Sequence, residues 1–207
     1  MKTKLPGSNG EHKAQEFYGT TKKALAFYNK QVLNYLNPLM IEFLEQQDMA
    51  FIATADSHGE CDCSLRAGLQ DYLFVIDDTT ITYPEYRGNG VLASIGNIIE
   101  NPHIGMILID FQQALGLHIN GKASIVNNDK VMKWINRPGV TKNLEDRKIE
   151  RWVYIEIEEA YIHCSKHIPL MATLDKNFDW GTDDVVKKGG DAFNAKECYR
   201  PWVDVNE

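Results

Sequence analysis

The sequence predicts a mainly β fold, a six- to seven-stranded antiparallel barrel with flanking helices. Three observations predict it. Four short strand-like segments crowd into residues 49–85 and are joined by tight turns, which implies an antiparallel meander. Two further segments, 103–111 and 115–126, and a long one at 148–164 are rich in strand formers. Helical apolar spacing appears only before this set and between its members. Closing such a sheet on itself removes exposed edges.

Residues 1–20 are polar and read as a loose N-terminal arm. Residues 21–47 read as helical, with Leu25, Tyr28, Val32, Leu36, Leu39, Ile41 and Leu44 at mostly helical spacing. Pro38 lacks a donor and splits this run into two helices. The period then changes. Residues 49–55 and 61–67 are strands around the turn cluster Asp56-Ser57-His58-Gly59. Strands at 71–77 and 79–85 meet at Asp77-Asp78. A helix over 89–100 gathers Val91, Leu92, Ile95, Ile98 and Ile99 on one face and stops at Asn101-Pro102. In the strand at 115–126, Gly121 marks a bulge or a close backbone approach. Residues 127–136 suggest a short helix behind an Asn cap. The strand at 148–164 carries Trp152, Tyr154, Ile155 and Ile157, and the tail from 168 reads as loops and short turns. The organisation is therefore an arm (1–20), a barrel domain with N-terminal helices (21–167), and an extension packed on the barrel or on a dimer partner (168–207).

A chain of 207 residues is long enough for a sizeable core. Its net charge of −7 disfavours nucleic acid, whose binding rests on basic residues. A small anionic ligand remains compatible, because a local arginine pocket works inside an acidic protein. No apolar run reaches the length of a membrane span. The start has lysines but no apolar core of a secretory signal, so a cytoplasmic protein is expected. Cys61 and Cys63 are spaced CxC without a second close pair among the four cysteines, so reduced, unligated thiols are expected rather than zinc.

The stretch "YPEYRGNGVLASIGNIIENP" carries the chemistry. A strand ends at Tyr83-Pro84 and a turn, Glu85-Tyr86-Arg87-Gly88-Asn89-Gly90, leads into a helix. A helix start offers unpaired N–H groups and a favourable dipole to an anion. Glycines allow close backbone approach, and Arg87 adds a planar fork, so the turn suits a phosphate monoester. The plainer reading is a strand-to-helix turn with a solvated arginine. The motif is neither a Walker loop nor a dinucleotide fingerprint. Arg66, in "CSLRAG", is a second arginine at a strand end; two arginines converging on one point hold a dianionic phosphate.

The runs FIATADSHGECDCSLRAG, DDTTITYPEYRGNGVLASIGNIIENPHIGMILIDF and LGLHINGKASIV together resemble the pyridoxamine 5'-phosphate oxidase-like family of flavin-nucleotide-binding split barrels, over roughly residues 40–165. The resemblance implies an FMN-binding split barrel with flavin at a homodimer interface. By resemblance, Arg66 and its neighbour Ala67 match the strand beside the phosphate. Tyr83, Pro84 and Glu85 match the strand edge beside the flavin, and Arg87 and Asn89 the phosphate-binding helix start. Asn97 is polar support or a structural cap. His118 and Asn120 match a strand that approaches the partner's flavin, and His163 and Lys166 a late segment that closes the ring site. The sequence departs from the true oxidases. No lysine follows Arg66 closely, the Arg-Lys pair at the helix start is absent, and so is the C-terminal Arg and His motif. These departures favour an uncharacterised branch of the family.

Other residues carry less. His58 and His103 read as structural or solvated. His163 and His167 have HxxxH spacing at a strand end, which is not a metal pair. Cys164 and His163 are adjacent on a strand and face opposite ways, so they are not a nucleophile and base. The tryptophans read as core or interface anchors, with Trp180 or Trp202 available to cover a bound ring. The expectation is an FMN-dependent oxidoreductase acting on a small molecule as a homodimer, with no catalytic acid or base identified. The alternative is a non-catalytic module that binds or senses flavin, deazaflavin or haem, with His163 or His118 as the haem ligand. A third reading is a structural dimer whose pocket has lost its ligand.

Overall fold

Seven antiparallel strands form one sheet in the computed structural model, which describes residues 5–68, 72–135, 149–174, 179 and 182–202. In chain order the elements are α1 (Asn9–Phe17), α2 (Thr21–Gln31), α3 (Pro38–Glu45), β1 (Met49–Ala55), β2 (Cys61–Ala67), β3 (Phe74–Asp77), β4 (Thr80–Tyr86), α4 (Ala93–Glu100), β5 (His103–Asp110), β6 (Leu115–Val126), α5 (Asn128–Trp134) and β7 (Ile149–His163). The strand order across the sheet is β2-β1-β5-β6-β7-β4-β3.

The split at Pro38 is present. Pro38 takes the first position of α3, where a missing N–H costs nothing, and the Asn37 side chain caps Met40 N at 2.9 Å. The arm differs from expectation. Residues 9–17 are a helix closed by a capping box between Ser8 and Glu11. Its start is also tied to β7, since Gly7 N donates to Glu159 at 2.7 Å. Beyond β7 the described tail holds short 3-10 turns and bends, as expected.

The sheet is curled. Five strand gaps of about 4.8 Å would set β2 and β4 about 24 Å apart in a flat sheet. Instead Arg66 Nε on β2 lies 3.2 Å from Glu85 Oε2 on β4. The curl does not close by hydrogen bonds: among the described residues no ladder joins β2 to β3. The protein is thus a split barrel, as the family resemblance implied, and its sheet stays open at that seam. Ile52, Met106, Leu108, Leu117, Ile119, Ile155, Ile81 and Tyr83 fill its inside, each at most 4% exposed. Residue alternation along β1, β5 and β6 puts these on one face and leaves the other face accessible. The helix α4 plugs one end with Ile95 and Ile98. A second cluster around Trp152, Phe74 and Val131 seats α5. Trp152 Nε1 donates to Asn128 Oδ1 at 2.8 Å.

Gly121 meets both expectations. The β6–β7 register shifts between Asn120 and Gly121, and a Cβ on Gly121 would lie 2.1 Å from the Glu156 carbonyl oxygen. Pro84 sits in β4 beyond the Phe74–Thr82 pair, where β4 has a neighbour on one side only.

Candidate cofactor site

A cavity of about 700 Å³ opens where the barrel is split, between β2, the end of β4 and the start of α4. β2 supplies its polar floor. Asp62, Ser64 and Arg66 stand opposite Thr54, Ile52 and Ala50, which are buried, so the three face inward. The alternate residues Cys61, Cys63 and Leu65 are exposed. The usual alternation is therefore inverted on this strand, polar inside and apolar outside. Inward polar groups need partners. Asp62 Oδ2 accepts from Ser64 Oγ and from Ser94 Oγ, each at 3.0 Å, which ties β2 to the first turn of α4.

The loop "RGNG" lies ahead of the helix, not in its first turn. Gly90 has φ +83°, the left-handed region that favours glycine. Asn89 Oδ1 accepts from Val91 N at 3.0 Å. Leu92 follows with φ 56° and α4 begins only at Ala93. A leucine held in that region stores backbone strain, and here it lines the cavity. A Cβ on Gly88 or Gly90 would meet nothing within 4 Å, so both leave open space beside the loop.

Both arginines singled out in the sequence line this cavity. Arg66 pairs with Glu85, their side chains 19% and 15% exposed. Burial pushes the Glu85 carboxyl up; Arg66 and Arg151 pull it back, and Glu150 adds to the rise. Beneath this pair lies Tyr83, wholly buried, its hydroxyl without a well-aligned hydrogen bond among the described residues. Burial drives that phenol far up, while Arg66 acts on it in the opposite direction. The Tyr72 hydroxyl, also buried, is likewise unsatisfied.

The second arginine meets the tail. The Arg87 guanidinium donates to Asp183, and Lys188 Nζ lies 3.3 Å from the other oxygen of the same carboxylate. Arg87 and Lys188 hold the Asp183 carboxyl below its ordinary range. Lys187 Nζ lies 2.6 Å from Asp179 Oδ1. Asp179, Thr182, Lys187 and Lys188 all border the cavity.

A sequence model of pyridoxamine 5'-phosphate oxidase matches residues 36–164, more than half of the chain. The chain belongs to the pyridoxamine 5'-phosphate oxidase family. No curated protein sequence matches it. Among solved structures it is similar to HupZ of Group A Streptococcus, at 21% identity and TM-score 0.47, covering 61% of this chain and 93% of that one. A pyridoxamine 5'-phosphate oxidase-like protein of Lactobacillus delbrueckii aligns at 16% identity and TM-score 0.47, over 63% and 98%. The haem storage protein HutZ of Vibrio cholerae aligns at 15% identity and TM-score 0.43, over 61% and 94%.

The other residues matched to the oxidase family lie in three places. Ala67 and Pro84 flank the cavity on β2 and β4 without lining it. Asn97 faces β1 and donates to Thr54 Oγ1 at 3.1 Å, a structural tie. His118 and His163 form a pair on neighbouring strands, their Nε2 and Nδ1 sharing a hydrogen bond of 2.8 Å. His118 also stacks on Tyr161, with ring centroids 4.8 Å apart. Burial, then His163, holds His118 below its ordinary value. Asn120 donates to Glu159 at 3.0 Å. None of these lines the cavity, and Lys166 is exposed in the turn Ser165–His167. Trp202 is exposed and Trp180 lies outside the described residues. All four cysteines are free and exposed. Among the described residues no helix is long and apolar enough to cross a membrane.

Sequence reasoning missed Asp62, Ser64, Ser94 and the tail residues. The inverted alternation of "CDCSLRA" was a usable signal for the first two. Nothing in the tail's spacing pointed back to residue 87.

Proposed function

We propose that the protein binds flavin mononucleotide by its phosphate in the split-barrel cavity and acts, as a homodimer, as an oxidoreductase on a small molecule. The observation that carries this is the convergence of Arg66 and Arg87 on one cavity beside the "RGNG" loop. Planar guanidinium forks match phosphate oxygens, and Asn89 and the glycines shape the loop between them. The Ser64 and Ser94 hydroxyls and the Asp62 carboxylate line the same space and suit a hydroxylated chain. Bound flavin would supply the hydride chemistry; this chain's residues bind and orient it.

The homodimer is supported by the outer face of the sheet. Leu65, Phe51 and Ile107 stand side by side in register across β2, β1 and β5. Leu65 is 53% and Phe51 37% exposed. An apolar row next to the site favours a second copy as its cover.

The test is an absorption spectrum of the purified protein before and after addition of FMN and desalting. Retained flavin bands are expected. Arg66→Ala with Arg87→Ala should weaken FMN binding by at least about a hundredfold, at roughly 1.5–3 kcal/mol for each charge-assisted contact, and leave riboflavin binding nearly unchanged. Equal losses for both ligands would overturn the phosphate assignment. A second reading, non-catalytic binding of flavin, deazaflavin or haem, draws on the His118–His163 pair, which lies outside the cavity. A Soret band lost in His163→Ala would favour haem; turnover with NADH and retained flavin would favour the oxidoreductase.

A further inference from the structure

The Asp183 carboxylate sits between two cations from distant parts of the chain. Arg87 comes from the loop after β4, and Lys188 from the C-terminal segment. A carboxylate held by a guanidinium and an ammonium occupies the kind of seat a phosphate takes. The segment also contributes Asp179, Thr182 and Lys187 to the cavity wall. The two glycines of the loop leave the space beside it open. We infer that residues 182–188 are part of the anion site: Lys188, with Lys187 beside it, is a phosphate ligand, and Asp183 is a built-in competitor that holds Arg87 until a phosphate monoester displaces it.

The arrangement has a chemical logic. Among the described residues, Arg66 and Arg87 are the only basic residues that β2, β4 and the loop bring to the cavity, and Lys187 and Lys188 from the tail double that positive charge. The competing carboxylate is on an exposed segment, its side chain 77% exposed, so exchanging it for a dianion needs no core rearrangement. The exchange is selective for charge: a dianion gains from two cations where one carboxylate carries a single charge.

This inference rests on the proposed phosphate site, and the experiment separates the two. FMN and riboflavin affinities are measured by flavin fluorescence for the wild type, Asp183→Asn, Lys187→Ala/Lys188→Ala, and Arg66→Ala/Arg87→Ala. Asp183→Asn should tighten FMN about threefold, the worth of an exposed ion pair, and the double lysine variant should weaken it about tenfold. Neither should move riboflavin. In the wild type, FMN but not riboflavin should slow tryptic cleavage after Lys187 and Lys188. If the arginine variant loses FMN while the tail variants bind like wild type, this inference fails and the phosphate site stands. If the wild type binds FMN no tighter than riboflavin, both fail.

Discussion

Arg66 and Arg87 each have an acidic partner within the chain, and the two partners differ in kind. Asp183 is exposed on the tail, whereas Glu85 is mostly buried on β4 with a carboxyl that burial pushes up. Glu85 is therefore a costly partner in its ionised form. Its protonated form is the one the fold favours, so its contribution to stability is complete below the ordinary carboxyl value of about 4.5 and is lost as pH rises through the raised folded value. Glu85→Gln should flatten that part of the stability curve, followed by urea unfolding across pH. The same change releases Arg66 toward a ligand and should tighten FMN about fivefold. A weaker FMN complex would instead make Glu85 a positioning residue for Arg66. His118 has the opposite sign. Its neutral form is favoured by burial and by His163, so stability is complete above about 6.5, where the unfolded chain begins to take up its proton, and is lost as pH falls from there through the lower folded value. His118→Gln should remove that acid-side loss, read as Tm against pH.

At the scale of elements, packing decides what the same substitution does at different places. Gly121 in β6 lies against the β7 backbone, and Gly121→Ala must push the two strands apart. It should cost about 3 kcal/mol in urea unfolding. Gly96 in α4 faces open space, with a helical backbone, and Gly96→Ala should stabilise by about 0.5–1 kcal/mol. Equal effects at the two sites would refute the close approach at Gly121. Most strands were legible in the sequence because a half-buried strand writes its period into the residues: β6 occupies the predicted span 115–126. The break at Pro38 was legible for the same local reason. The start of α4 was not, since Leu92 takes a left-handed backbone that no propensity favours. The helix α1 was missed although Ser8 and Glu11 spell a capping box, because it buries no residue and so shows no apolar stripe. At the site, Arg66, Glu85, Arg87 and Asn89 were found from the strand and loop that carry them. The tail was not found, because its contact with Arg87 spans 96 positions and depends on the fold alone.

For the whole molecule, the split of the barrel and the inverted strand are one fact seen twice. A closed barrel would bury the inner side of β2 in an apolar core, and Asp62, Ser64 and Arg66 could not sit there without partners. With the barrel open at that seam, those three residues become the floor of a cavity, and the apolar side of β2 is turned outward. Cys63 pairs with Ala53 and Leu65 with Phe51 on that outer face, forming a surface suited to burial against an equivalent surface. In the proposed dimer a second copy would do two jobs: it would cover the apolar row, and it would clamp the strand that presents Arg66. Leu65→Glu places a charge on that row without touching the core, because Leu65 is 53% exposed in the single chain. The variant should keep its fold by circular dichroism, sediment as a monomer where the wild type sediments as a dimer, and lose FMN affinity together with the dimer. A Leu65→Glu protein that still dimerises would place the interface elsewhere. One that becomes monomeric yet binds FMN as well as wild type would show that a single chain holds the phosphate unaided.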